Sequence, residues 1–87
     1  MNAPPNPNHK PPFTKKQGQY LAFIHYYTKL NGLPPSEADM QRYFRVSAPS
    51  VHQMVVKLHE LNLIEREPGK PRSIRLLLTR AEIPDLD

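Results

Sequence analysis

Two short amphipathic helices follow one another so closely between Ser36 and Asn62 that the joint between them constrains the fold more than any other feature of the chain. Ser36, with Asp39 three residues on, reads as a capping box with a shorter acid, and Met40 and Phe44 follow on one face. Val46 is apolar again, while Ser47-Ala48-Pro49 supplies a fresh N-cap with a proline in the first turn, where its missing N–H is harmless. A second helix therefore starts at once. Val51, Met54, Val55 and Leu58 recur at helical spacing, Leu61 continues the stripe, and Asn62, which tolerates the left-handed cap conformation, marks the stop. With roughly three or four residues between them, the helices cannot fold back antiparallel, so a steep crossing is expected.

The segment that follows distinguishes this pair from a helical corner inside some other small domain. Leu63 to Glu67 and Arg72 to Leu78 read as two strands, with Ile64 in the first and Ile74, Leu76 and Leu78 alternating in the second. Their tip, Glu67-Pro68-Gly69-Lys70-Pro71-Arg72, holds a Pro-Gly pair suited to a type II turn. A basic hairpin beside two crossing helices is a wing. The expected fold class is mainly α with a small β-hairpin, a three-helix winged helix-turn-helix. The first helix, Thr14 to Asn31, is the scaffold: Thr14 and Gln17 form a capping box, Gly32 ends it, and Tyr20, Leu21, Phe23, Ile24, Tyr27 and Leu30 supply a broad apolar side. Leu33-Pro34-Pro35 must be extended, because a residue before proline avoids the α region, and it is a candidate third strand against the wing.

From about Phe13 to Leu78 the chain resembles the DNA-binding domain of the LexA repressor family. Three segments carry the likeness: Thr14-Lys15-Lys16-Gln17, Asn31-Gly32-Leu33-Pro34-Pro35-Ser36, and Pro68-Gly69-Lys70-Pro71-Arg72-Ser73-Ile74-Arg75-Leu76-Leu77. Met40, Phe44, Val46, Val51 and Met54 stand where such domains pack their core. Two positions depart from the helix-turn-helix template. Gln41 stands where a small residue usually lets the helices approach, and Arg45 stands where glycine usually supplies a positive φ, which costs a non-glycine residue on the order of 1 kcal/mol. A slightly altered turn is expected there, within the same fold.

The resemblance puts Pro49, Ser50, His52 and Gln53 on the face that touches base edges. The family tends to place asparagine, small residues and acids around there, so a LexA-type operator is not to be assumed for this chain. By chemistry alone Gln53 can pair with adenine through two hydrogen bonds, His52 can donate to a guanine acceptor, and Ser50 is permissive. Ser47, Lys57, Lys70, Arg72, Arg45, Lys15 and Lys16 are the candidates for backbone phosphates, contacts that position a protein without reading sequence. Arg66 and Arg75 are expected to pair with Glu65 and Glu67 instead. The alternatives are ordinary ones: exposed His52 and Gln53 as solvated residues, Ser50 as a cap, and surface lysines merely hydrated.

Charge agrees with a polyanionic partner. Lysine and arginine number 12 against 8 acids, and outside residues 13–78 lie only Lys10 and Arg80 against Glu82, Asp85 and Asp87. The expected organisation is a proline-rich tail over residues 1–12, in which His9 and Lys10 could form a minor-groove arm, then the domain over 13–78 and a short acidic tail over 79–87, loose or lying against the surface. LexA repressors carry a C-terminal domain that dimerises and cleaves itself with a serine and a lysine, and ending just after the wing would leave neither function to this chain. Double-stranded DNA is the expected partner, with either a homodimer on a palindrome, at major grooves roughly 34 Å apart, or a partner protein to raise its affinity.

No cysteine is present, and His9, His25, His52 and His59 lack metal-ligand spacing, so no metal or cofactor is expected. Glu65 and Glu67 stand beside arginines with no pocket implied, which argues against an enzyme. Tyr26 and His25 have no interleaved basic track to make them a platform for single strands. No apolar run approaches a membrane span, and no small-molecule ligand is implied, so a soluble, cytoplasmic, nucleoid-associated protein is expected. A second reading, motivated by outward-facing Val56 and by Arg45, is a winged-helix module that binds another protein without specific DNA binding.

Overall fold

The computed structural model describes residues 12–87, and the expectations for the first eleven residues, His9 and Lys10 included, fall outside it. The element order is α1 (Lys15–Asn31), α2 (Glu37–Phe44), α3 (Ala48–Glu60), β1 (Ile64–Glu65), β2 (Arg75–Leu76) and a final 3₁₀ turn (Arg80–Glu82). Each of the three helices begins where its cap dictates. Thr14 Oγ1 accepts from the Gln17 amide at 3.1 Å while Gln17 Oε1 accepts from the Thr14 amide at 2.8 Å. Ser36 and Asp39 do the same for α2, and Ser47 Oγ accepts from the Ser50 amide to start α3.

The ends are equally local. Gly32 caps α1 with φ 75°, and Asn62 turns left-handed at φ 59° after α3. Arg45 takes the left-handed conformation at φ 55°, ψ 50° to close α2, so the arginine adopts the backbone that glycine would otherwise supply. Its amide and that of Val46 both donate to the Gln41 carbonyl, which offsets part of the strain.

The core lies where the three helices meet the root of the wing: Tyr20, Leu21 and Ile24 from α1, Met40 from α2, Val51, Val55 and Leu58 from α3, then Leu63, Ile64 and Ile74. Phe44 stacks on Tyr20 with ring centroids 4.0 Å apart, locking α2 to α1. Two expected core residues are outside it. Leu30 is 83% exposed, because the last turn of α1 runs past its packing partners. Leu61 is 38% exposed, because the left-handed residue after it reverses the chain and delivers Leu63 to the core instead.

The wing is shorter than its sequence suggests. The antiparallel register pairs Ile64 with Leu76 and Glu65 with Arg75, two residues per strand. Toward the tip the ladder stops after Glu65 and Arg75: the register would send the Glu67 amide to the Ser73 carbonyl, and that bond is not made. The Ser73 hydroxyl stands in for it, accepting from the Glu67 amide at 2.9 Å and donating toward the carbonyls of Lys70 and Glu67. At the tip the Lys70 amide donates to the Glu67 carbonyl around Gly69, whose φ of 78° is the conformation a type II turn demands. Leu33-Pro34-Pro35 is not helical, as expected, but does not pair as a third strand, and among the described residues the sheet has two strands.

The C-terminal segment lies against α1. Ile83 is buried, and Gln19 holds the last three residues, donating to the Asp85 carbonyl at 3.0 Å and accepting from the Asp87 amide at 2.8 Å. Gly18 makes room for this: a Cβ there would meet Phe13 at 3.0 Å and Pro84 at 3.1 Å.

Candidate nucleic-acid interface

Helix α3 divides cleanly by burial. Val51, Val55 and Leu58 are sequestered, while Ser47, Ala48, Pro49, Ser50, His52, Gln53 and Lys57 are exposed, so the polar stripe expected from spacing is presented outward as one face. Val56 is half-buried, which weakens the case for it as an apolar docking residue. The Ser47 and Ser50 hydroxyls lie 2.9 Å apart and share a hydrogen bond at the start of the helix. His52 leans toward α2, its Nδ1 3.2 Å and 3.3 Å from the two carboxylate oxygens of Glu37.

Two clefts flank this face. His52, Glu37 and Lys70 line the one between α2 and the wing tip, and Lys57 and Lys15 line the other, beside the start of α1. Lys70 is loosely tethered to Glu67 at 3.6 Å, with both side chains mostly in solvent, a pair worth a few tenths of a kcal/mol, ~0.5 at most. Lys16 and Arg45 are exposed and line neither cleft.

Arg72 behaves differently from the cation two residues before it. Its backbone is left-handed at φ 56°, and its guanidinium turns inward to donate to Asp39 Oδ2 at 2.9 Å, the Pro34 carbonyl at 3.0 Å and the Tyr27 hydroxyl at 3.2 Å. One side chain thus ties the wing to α1, the proline link and α2. Asp39 is the buried acid at the centre, 8% exposed, and it also accepts from Arg42 and from the Ser36 amide. The Ser36 backbone N–H, with help from the Ser36 and Tyr27 hydroxyls and Arg72, holds the Asp39 carboxyl down at about 2 against the opposing effect of burial. Sequence reasoning saw Asp39 only as a cap. Residues 39 and 72 lie far apart in the chain, and no local pattern marks them as partners.

Of the other arginines, Arg75 pairs across the strands with Glu65 as expected. Arg66 makes no ion pair among the described residues: its Nε is buried without a partner, because Glu65 pairs with Arg75 and Glu67 turns toward Lys70. His25 and Tyr26 lie away from this face. Burial, followed by Arg80 and Lys29, pushes the His25 imidazole below its ordinary pKa, and Tyr26 accepts from Arg80 at 3.0 Å.

Residues 10–73 match the family model described as the LexA DNA binding domain. The chain belongs to the LexA DNA-binding domain family. Its relatives include LexA repressors of Thermotoga neapolitana, 38% identical over 63 residues, and of Thermotoga maritima, 35% identical over 63 residues; each alignment covers 72% of this chain and 32% of the relative. The LexA repressor of Exiguobacterium sibiricum is 36% identical over 70 residues, covering 79% of this chain and 34% of the relative. The chain thus spans about a third of the length of these curated relatives. In this LexA-type domain the described residues include no helix long and apolar enough to cross a membrane and no cluster of ligating side chains that could hold a metal.

Proposed function

We propose that this LexA-type domain binds double-stranded DNA sequence-specifically as part of a transcriptional repressor, with α3 in the major groove and the wing on the phosphate backbone. The observation that carries this reading is the exposed face of α3, with a lysine in the cleft on each side of it. Pro49, Ser50, His52 and Gln53 are assigned to base edges, and Gln53 is suited to adenine through its paired donor and acceptor. Ser47, Lys57, Lys70, Lys15, Lys16 and Arg45 are assigned to phosphates. Arg72 is reassigned: with its guanidinium directed at Asp39, Tyr27 and Pro34, it sets the wing's position instead of contacting a phosphate itself. The protein acts by occupying DNA and not as a catalyst, and two copies on inverted half-sites supply the affinity that a single small domain lacks.

The deciding experiment is selection of bound duplexes from a random pool at two salt concentrations, using the purified chain alone. The expected result is an enriched half-site or palindrome. Gln53→Ala should then relax preference at one base position by roughly 1 to 3 kcal/mol and leave the rest intact. Salt-sensitive retention without any enriched motif would reduce the reading to backbone binding, and no retention would overturn it.

A further inference from the structure

On that reading, the geometry points to Glu37 as the residue that decides what His52 recognises: its carboxylate holds the Nδ1–H of the imidazole, so His52 presents Nε2 to the DNA, as an acceptor when neutral and as a donor when protonated. The chemistry follows from the contact. Nδ1 stands 3.2 Å and 3.3 Å from the two Glu37 oxygens, and a carboxylate can only accept. A neutral ring has a single N–H, and this contact draws it to Nδ1. Nε2 then carries a lone pair, and its partners in a major groove are the exocyclic amines of cytosine and adenine. Protonation adds an N–H at Nε2, whose partners are the guanine O6 and N7 acceptors. Glu37 therefore reverses the simple expectation for the neutral side chain, which was donation to guanine.

Charged groups face this pair from α2 and from the wing. Glu37 faces the ring from α2, and Arg66, Glu67, Lys70 and Arg72 line the same cleft from the wing. One turn away on α3 stand Ala48, Pro49, Val55 and Val56, none of them charged. Glu37 and His52 both retain solvent access, so a proton can enter and leave without opening the fold. Glu37 is thus a positioning residue and His52 a reader whose base preference depends on pH.

The test repeats the duplex selection at about pH 5.5 and about pH 8, a span over which histidine side chains in general change charge. At the base position assigned to His52, adenine or cytosine should be enriched at the higher pH, with a shift of about five- to tenfold toward guanine at the lower. In Glu37→Gln the amide can donate to Nδ1 as well as accept from it, so the preference at high pH should blur and the shift shrink. In His52→Gln the shift should vanish, and thermal melting of both variants should match the parent because neither side chain enters the core. A motif with the same preference at both pH values, a shift undiminished in Glu37→Gln, or a shift that survives in His52→Gln would each overturn this inference alone. A pool with no enriched motif at either pH would overturn it together with the proposed function.

Discussion

Two arginines in this domain hold the left-handed backbone that glycine would occupy without strain: Arg45 in the turn before α3 and Arg72 in the wing, at φ 55° and 56°. Their side chains meet opposite fates. Arg45 ends in solvent, and its strain is offset only by the amides that close α2. Arg72 reaches three acceptors on three segments, so the same backbone cost is tied to a tertiary contact. The difference teaches that a non-glycine residue at positive φ does not by itself mark a functional site. What the side chain touches decides whether the strain is incidental or part of the architecture.

The largest effect should come from Asp39, which serves both the α2 cap and the arginine. Asp39→Ala should lower stability by about 2 kcal/mol, the upper end of a lost cap, because Arg72 also loses its buried partner. Urea unfolding measures this, and a loss no larger than that of Ser36→Ala would show that the Arg72 contact adds nothing beyond the cap.

Acid should act through the same carboxyl. Its folded value of about 2 lies below the ordinary 3.8, so its contribution is fully present above about pH 4 and is lost as pH falls toward 2. Stability should therefore decline across that window, and more steeply than in Asp39→Asn. Parallel acid profiles for the two proteins would remove Asp39 from the acid response.

Glycine at the two strained positions separates them next. Arg45→Gly should stabilise the fold by up to about 1 kcal/mol by relieving the left-handed strain. Arg72→Gly relieves the same strain but should lower the melting temperature and raise amide exchange in the wing. Equal gains at both sites would break the contrast between them.

The smallest effect sharpens the contrast within the wing. Lys70→Ala should reduce the salt dependence of DNA binding by about one unit, as expected for one lost phosphate contact. Arg72→Ala should weaken binding with the salt slope nearly unchanged. A drop in slope for Arg72→Ala would restore it as a phosphate contact.

Much of this molecule is legible in its sequence because the relevant forces act within one turn. The Thr14 and Gln17 box, the Ser36 and Asp39 box, Pro49 after Ser47, Asn62 at the end of α3 and Gly69 at the wing tip each couple a residue type to a backbone requirement a few positions away. The outward face of α3 was legible for the same reason, since helical periodicity alone separates Val51 and Val55 from His52 and Gln53. Leu30 and Leu61 were misplaced because apolar spacing cannot tell where a helix outruns its partners. The strands are shorter than alternation predicts because the Ser73 hydroxyl takes the Glu67 amide out of the ladder, a contact that alternation does not encode.

The sequence by itself therefore determined where the helices begin and end, which face of α3 turns outward, and the turn at the tip of the wing, all of them set by backbone geometry and capping between near neighbours. Only the tertiary structure decided that Arg72 turns inward to Asp39, that Glu37 meets His52, and that the C-terminal residues clasp α1. Those contacts join segments far apart in the chain, and an arginine or histidine satisfies its hydrogen bonds with whichever acceptor packing brings within about 3 Å, a choice no local pattern encodes.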